Sequence, residues 1–164
     1  MSFTKLDKAA VVAALRARVA ADRESLVATQ RAAHAGATHE EARPENDKDT
    51  RAAEASYLAR GLAARVGELE LAERRLAAMQ LRALSADDPI SVGSLILVED
   101  DRGEHLYFMA PACGGVSITV DDVSIGVITG QSPLGRILLG ARRDDELELR
   151  TPRGARHLTV VDLA

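Results

Sequence analysis

Two rhythms of apolar and polar residues divide the chain. From Leu6 to about Arg82 apolar positions return at alternating steps of three and four, whereas from Ile90 onward they alternate with polar ones between turn signals. The first rhythm predicts two long helices. Val12, Leu15, Val19, Leu26 and Ala33 form the stripe of the first, interrupted by Asp22 and Thr29. Ala55, Leu58, Leu62, Leu69, Ala72, Leu76 and Met79 form that of the second, interrupted by Arg65. Stripes this narrow suit one partner helix rather than a broad core. Between them Gly36 weakens the helix and Pro44 disfavours a helical residue before it while suiting a first turn after it. The short break and matched stripes predict an antiparallel helical hairpin, a coiled coil with arms of ~30 to 35 residues and ~45 to 50 Å.

The second rhythm predicts a small antiparallel sheet with one short helix. After Asp87, Asp88 and Pro89 the run "SVGSLILVE" enters a first strand, and "EHLYFMAP" pairs with it through the turn at 100–103. "VSITVDDVSIGVIT" supplies further strand, with its breaks left open by Gly126 and the Asp pair. In "SPLGRILLG" Ser132 stands at a helix cap, Pro133 at the first helical position and Gly140 past the end. Two alternating strands around "TPRG" close the chain. The fold class is α+β, with domains at 1–84 and 85–164.

Composition narrows the chemistry. Aromatic residues make up 2% of the 164 residues and there is no Trp. Base stacking needs flat platforms, and a net charge of −4 leaves no dense basic face, so direct nucleic-acid binding is disfavoured. Cys113 is the only cysteine, which excludes an intramolecular disulfide and a multi-cysteine metal site. His34, His39, His105 and His157 are scattered. Nothing approaches a membrane span or a secretion signal, so a cytoplasmic protein without a membrane partner is expected.

The break between the helices carries Glu40, Glu41, Glu45, Asp47 and Asp49. Part of this is ordinary: acids in the first turns of the second helix offset its dipole, Asn46 or Asp47 can cap, and Arg43, Lys48 and Arg51 intersperse the acids. Helix capping alone does not call for a long rod that displays them at its tip.

The runs "ISVGSLILVED", "SPLGRILLGARRDDELEL" and "TPRGARHLTVVDL", with "RVGELELAERRL" in the returning arm, resemble the bacterial Gre transcript cleavage factors. The resemblance implies an FKBP-like fold for 85–164. It further implies a factor that docks on RNA polymerase at the secondary channel and reaches the active centre with its hairpin. Acidic tip residues then help hold a Mg2+ shared with the polymerase, so that backtracked RNA is hydrolysed. Glu45, Asp47 and Asp49 are the implied catalytic helpers and Asp47 and Asp49 the metal ligands. Hard carboxylate oxygens suit magnesium. An exposed turn builds no closed site, so the implied role is an accessory factor that binds no cofactor stably. Contact with RNA is indirect.

Ser132, Pro133, Leu134 and Arg136 are the expected polymerase-binding residues, with Leu134, Ile137, Leu138 and Leu139 mostly in the core and Arg136 facing solvent. The tip departs from the family. Placed without gaps from "RVGELE", its two tip acids fall near Glu45 and Lys48, so a channel-occupying regulator that does not stimulate cleavage is the nearest rival. A prolyl isomerase reading fails because those pockets are lined by aromatics and this domain offers only Tyr107 and Phe108. A hairpin that serves as an adaptor or dimerisation element is the rival from another class. A hairpin that satisfies its own stripes favours a monomer. The long arms also disfavour relatives that bind nucleoside diphosphate kinase.

Overall fold

The structure is a computed structural model and describes residues 6–37, 50–85, 87–152 and 154–164. The expected tip residues Glu45, Asp47 and Asp49 lie outside the described residues. The chain divides into two units, 17–74 and 1–16 with 75–164.

Two helices, α1 (Lys8–Ala37) and α2 (Thr50–Ala77), confirm the helical half at 30 and 28 residues. Arg23 on α1 pairs with Glu73 on α2 at 3.0 Å, and Lys8 donates to the carbonyl of Arg82 just beyond α2. Earlier residues meet later ones, so the helices run antiparallel. Among the described residues of the unit 17–74, Val19, Leu69 and Ala72 are buried. In the other unit Val11, Leu15 and Leu76 are buried.

The stripes differ from expectation in detail. Val11 rather than Val12 opens the buried row of α1, because the row Val11, Leu15, Val19 advances in steps of four along one inclined ridge of the helix. On α2, Leu58 is exposed, and Arg65 points to solvent and pairs with Glu68 at 2.6 Å while Val66 takes the half-buried place. Leu26 and Leu62 are half-buried. Among the described residues of the two helices, full burial falls within 11–19 of α1 and 69–76 of α2.

The second unit carries a six-stranded sheet: β1 (Leu95–Asp100), β2 (Gly103–Met109), β3 (Ser117–Val120), β4 (Val123–Ile128), β5 (Glu146–Thr151) and β6 (Gly154–Leu163), in the order β3-β4-β2-β1-β6-β5. Helix α3 (Pro133–Leu138) lies between β4 and β5 in the chain. The expected turn at 100–103 is present, with Asp100 paired to Gly103, and the last two strands pair up to Thr151 and Gly154. The Asp pair left open by the sequence is a hairpin turn. Asp121 and Asp122 both adopt positive φ, as a two-residue turn between twisted strands requires, and aspartate tolerates this better than most residues.

Two expectations are corrected. The sheet is not antiparallel throughout, because β2 and β4 pair in parallel through Tyr107–Gly126, Phe108–Val127 and Met109–Ile128. The chain leaves β2, places β3 on the outer edge and returns as β4 beside β2. The first strand also begins later than "SVGSLILVE" suggested. Ser91 to Ser94 form a turn held by Ser94 N–H to Ser91 O at 3.1 Å and by Ser91 N–H to Ser94 Oγ at 3.0 Å, which leaves Ser94 wholly buried and satisfied.

One core cluster joins Ile96 and Val98 of β1, Met109, Leu149, Leu158 and Val160 with Leu138 of α3 and Ile90 of the linker. The linker is stitched to the end of α3 by Ile90 N–H to Ala141 O and Gly140 N–H to Ile90 O, both at 2.8 Å. Strand β1 pairs with the chain terminus through Leu95 and Ala164, which exchange bonds of 2.9 Å.

Candidate functional site

Helix α3 gathers all four of the expected partner-binding residues, and the structure divides their tasks. Ser132 is the cap: its Oγ accepts from Gly135 N–H at 3.0 Å and donates to Thr129 O at 2.8 Å. Pro133 occupies the first helical position and is exposed. Leu134 and Ile137 are half-buried against the core cluster, and Leu138 is fully buried. Arg136 faces solvent as expected, its Nε donating to Gln131 O at 3.0 Å. Ser132 and Leu134 therefore hold the helix, while Pro133 and Arg136 are left open.

Leu139 was expected in the core and is 48% exposed instead. The helix ends at Leu138, and Leu139 leaves it with an extended backbone (φ −62°, ψ 119°), which turns the side chain away from the face that Leu138 buries. Helical periodicity stops predicting a face once the helix has stopped.

The closeness of α3 to the chain beneath it is set by Gly135. A Cβ at this position would lie 1.9 Å from Thr129 O and 2.7 Å from Thr129 C, so no side chain fits. The helix is seated on the backbone.

A second polar group was missed by sequence reasoning. The Asp100 side chain is without solvent exposure at the end of β1 and accepts hydrogen bonds from the Arg156 guanidinium, from Arg102 N–H at 2.8 Å and from the His105 ring at 3.1 Å. The Arg156 hydrogen bond, with those of Arg102 and His105, holds the Asp100 carboxyl down at about 2, and the same bond pushes the Arg156 guanidinium up. Three strands and 56 residues of separation build this group, so only strand register reveals it.

Among the described residues no three His, Cys, Asp or Glu side chains gather as a metal site. No helix is long and apolar enough to cross a membrane.

The family described as "Transcription elongation factor, GreA/GreB, C-term" matches residues 85–164, the segment that carries the sheet and α3. A transcription elongation factor GreA of Mesorhizobium japonicum is 31% identical over 119 residues, 73% of this chain and 71% of that protein. The chain belongs to the GreA/GreB family. A GreA of Sphingopyxis alaskensis is 30% identical over 100 residues, and this Gre-family chain spans 60% of that relative's length. Among solved structures, Thermus aquaticus Gfh1 aligns with 22% identity and a TM-score of 0.39 over 89% of this chain and 91% of that one. A GreA/GreB elongation factor of Nitrosomonas europaea aligns with 17% identity and a TM-score of 0.37 over 71% and 95%.

Proposed function

We propose that this Gre-family chain is a transcription elongation factor that binds RNA polymerase at its secondary channel through 85–164 and stimulates cleavage of backtracked RNA through carboxylates of the hairpin tip. Family membership is the observation that carries the reading: relatives matched along this chain are transcription elongation factors. The antiparallel helices α1 and α2 support the hairpin reading, and Ser132, Pro133, Leu134 and Arg136 are the proposed docking residues, of which Pro133 and Arg136 are exposed while Ser132 and Leu134 hold α3 in place.

Glu45, Asp47 and Asp49 are the proposed catalytic helpers. Their hard carboxylate oxygens fit the Mg2+ of the polymerase active centre, with Asp47 and Asp49 as ligands. When bound there, the ion would supply Lewis acidity and an activated water. The factor acts as an accessory to the polymerase's own hydrolysis, as a monomer in the cytoplasm, and meets RNA only within the elongation complex.

Lys48 favours a second reading. It stands where the family register puts the second tip acid, and a cation there opposes binding of a metal ion. In that reading the chain occupies the channel and regulates the polymerase without cleavage.

The test is RNA cleavage in a stalled, backtracked elongation complex, with wild-type protein beside an Asp47→Ala, Asp49→Ala double variant. Magnesium-dependent shortening that the variant loses is the expected result. No shortening, despite demonstrated binding to the polymerase, refutes the cleavage role and leaves the channel-occupying regulator.

A further inference from the structure

Helix α2 has two faces of different character. Leu62 and Val66 are half-buried and Leu69 is buried on one side of it. On the opposite side Tyr57, Ala64 and Leu71 are exposed at steps of two helical turns, Tyr57 by 69% and Leu71 by 42%. Arg60, Gly61, Gly67 and Glu68 stand between them and are exposed also.

The fold gives no reason for this composition. Glycine in a helix interior costs about 1 kcal/mol against alanine, yet Gly61 and Gly67 both lie within α2 with nothing inside 4 Å of their Cβ positions. Small residues there leave the backbone open to another helix, whose axis comes as near as about 8 Å only where the facing side chains are small. The Arg60 guanidinium lies 4.8 Å over the exposed Tyr57 ring, and these are residue types that anchor interfaces.

The face is also its own complement. Tyr57 and Leu71 are equally distant from Ala64 along α2, as are Gly61 and Gly67, and as are Arg60 and Glu68. A two-fold axis at Ala64 therefore sets Tyr57 against Leu71 of a second, antiparallel copy, Arg60 against Glu68, and glycine against glycine. Glu54 and Arg74, farther out on either side, repeat the opposition of charge. A parallel pairing would set Arg60 against Arg60 and Glu68 against Glu68, so charge selects the antiparallel one. Within the chain Glu68 accepts from Arg65 at 2.6 Å, and Arg60 donates to Ser56 O at 3.4 Å and Ser56 Oγ at 3.3 Å. These are exposed contacts of little worth and are readily exchanged.

We infer that this face of α2 is a self-association surface, on which a second copy of the chain packs its own α2 antiparallel about Ala64. The dimer is weak and reversible. One side of the span 54–74, ~30 Å of helix, offers far fewer than the about 20–30 residues a side of a stable interface. In the proposed function the monomer acts, and the dimer is a reserve in which this face is withdrawn.

The test is sedimentation equilibrium of the full chain at low salt up to ~1 mM, where weak contacts are populated, with circular dichroism to confirm that each variant is folded. Wild type is expected to pass from monomer to dimer as its concentration rises. Gly61→Leu combined with Gly67→Leu is expected to raise helix content, leucine being the better helix former, and yet to weaken association about tenfold or more. A role confined to the fold would not give those opposite signs. Arg60→Glu and Glu68→Arg are each expected to weaken association, and an equimolar mixture of the two to recover it, because each variant then meets the opposite charge on the other. Leu58→Ser, about 100° round the helix from Tyr57, is expected to associate as wild type. A wild-type chain that stays monomeric throughout overturns the surface and leaves the proposed function standing. Association unchanged by the two leucines overturns this face, and a mixture that does not recover overturns the antiparallel pairing.

Discussion

Replacing Gly135 by alanine separates two opposing effects. On helix propensity alone the change stabilises by about 1 kcal/mol, since glycine is the costlier residue in a helix interior. The structure reverses the sign. The added Cβ would meet Thr129 O at 1.9 Å, Thr129 C at 2.7 Å and Ser132 Oγ at 2.9 Å, and two of these three atoms are backbone. Relief requires α3 or the chain at Thr129 to move by more than about 1 Å to reach ordinary van der Waals separation. Thr129 O accepts from Ser132 N–H at 3.0 Å and from Ser132 Oγ at 2.8 Å, so this movement also loosens the cap. On its other side Thr129 lies over Gly114, whose Cβ position is 3.1 Å from the threonine methyl. Overpacking costs roughly 1–3 kcal/mol and a lost cap about 1 kcal/mol, which together outweigh the propensity gain and leave a net loss of about 2 kcal/mol. The assay is native-state amide exchange of Leu95 and Val127, whose N–H groups are bonded to Ala164 O and Val116 O and report on the sheet rather than on the hairpin. Gly67→Ala is the control, because nothing lies within 4 Å of its Cβ position, and it is expected to stabilise α2 by up to about 1 kcal/mol. Unchanged or slower exchange at Leu95 and Val127 in Gly135→Ala would refute the steric argument.

Ser132→Ala removes the hydroxyl that bonds both Gly135 N–H and Thr129 O, and a loss of about 1 kcal/mol is expected in the same exchange measurement, with no change at α2 amides. For Asp100 the folded value of about 2 lies below the ordinary 3.8, so its stabilisation is fully present above pH 4 and is lost as pH falls from there towards 2. Asp100→Asn is therefore expected to be less stable at neutral pH and to lack this share of the acid loss, as read by urea titrations across that range. Leu138→Ala, which empties a wholly buried site under α3, is expected to cost about 2–5 kcal/mol, whereas Leu58→Ala on exposed α2 surface should cost less than about 0.5 kcal/mol in thermal or urea unfolding.

What could be read in advance rests on interactions within a few residues. The two helices follow from the three-and-four spacing, the turn at 100–103 from residues that adopt tight conformations at little cost, the pairing of the last two strands from their alternation, and the cap of α3 from a serine ahead of a proline. The runs around "SPLGRILLG" also marked the C-terminal domain, because its short helix is specified by the cap and by the one glycine that backbone contact permits.

Tertiary structure decided the rest. Whether Val11 or Val12 enters the buried row of α1 depends on the ridge that the opposing surface accepts, since adjacent apolar residues satisfy the local spacing equally. The parallel pairing of β2 with β4 depends on β3 taking the edge, and strand propensity carries no information about neighbour order. Asp100 and Arg156 are 56 residues apart and meet only when β1 and β6 are in register. Leu139 belongs to an apolar run that local pattern assigns to the core, yet the end of α3 turns it to solvent. Sequence by itself determined the main elements and the cap of α3, because those depend on near neighbours. Only the tertiary structure decided which side chains stay exposed, because exposure is what remains after every other surface has been packed.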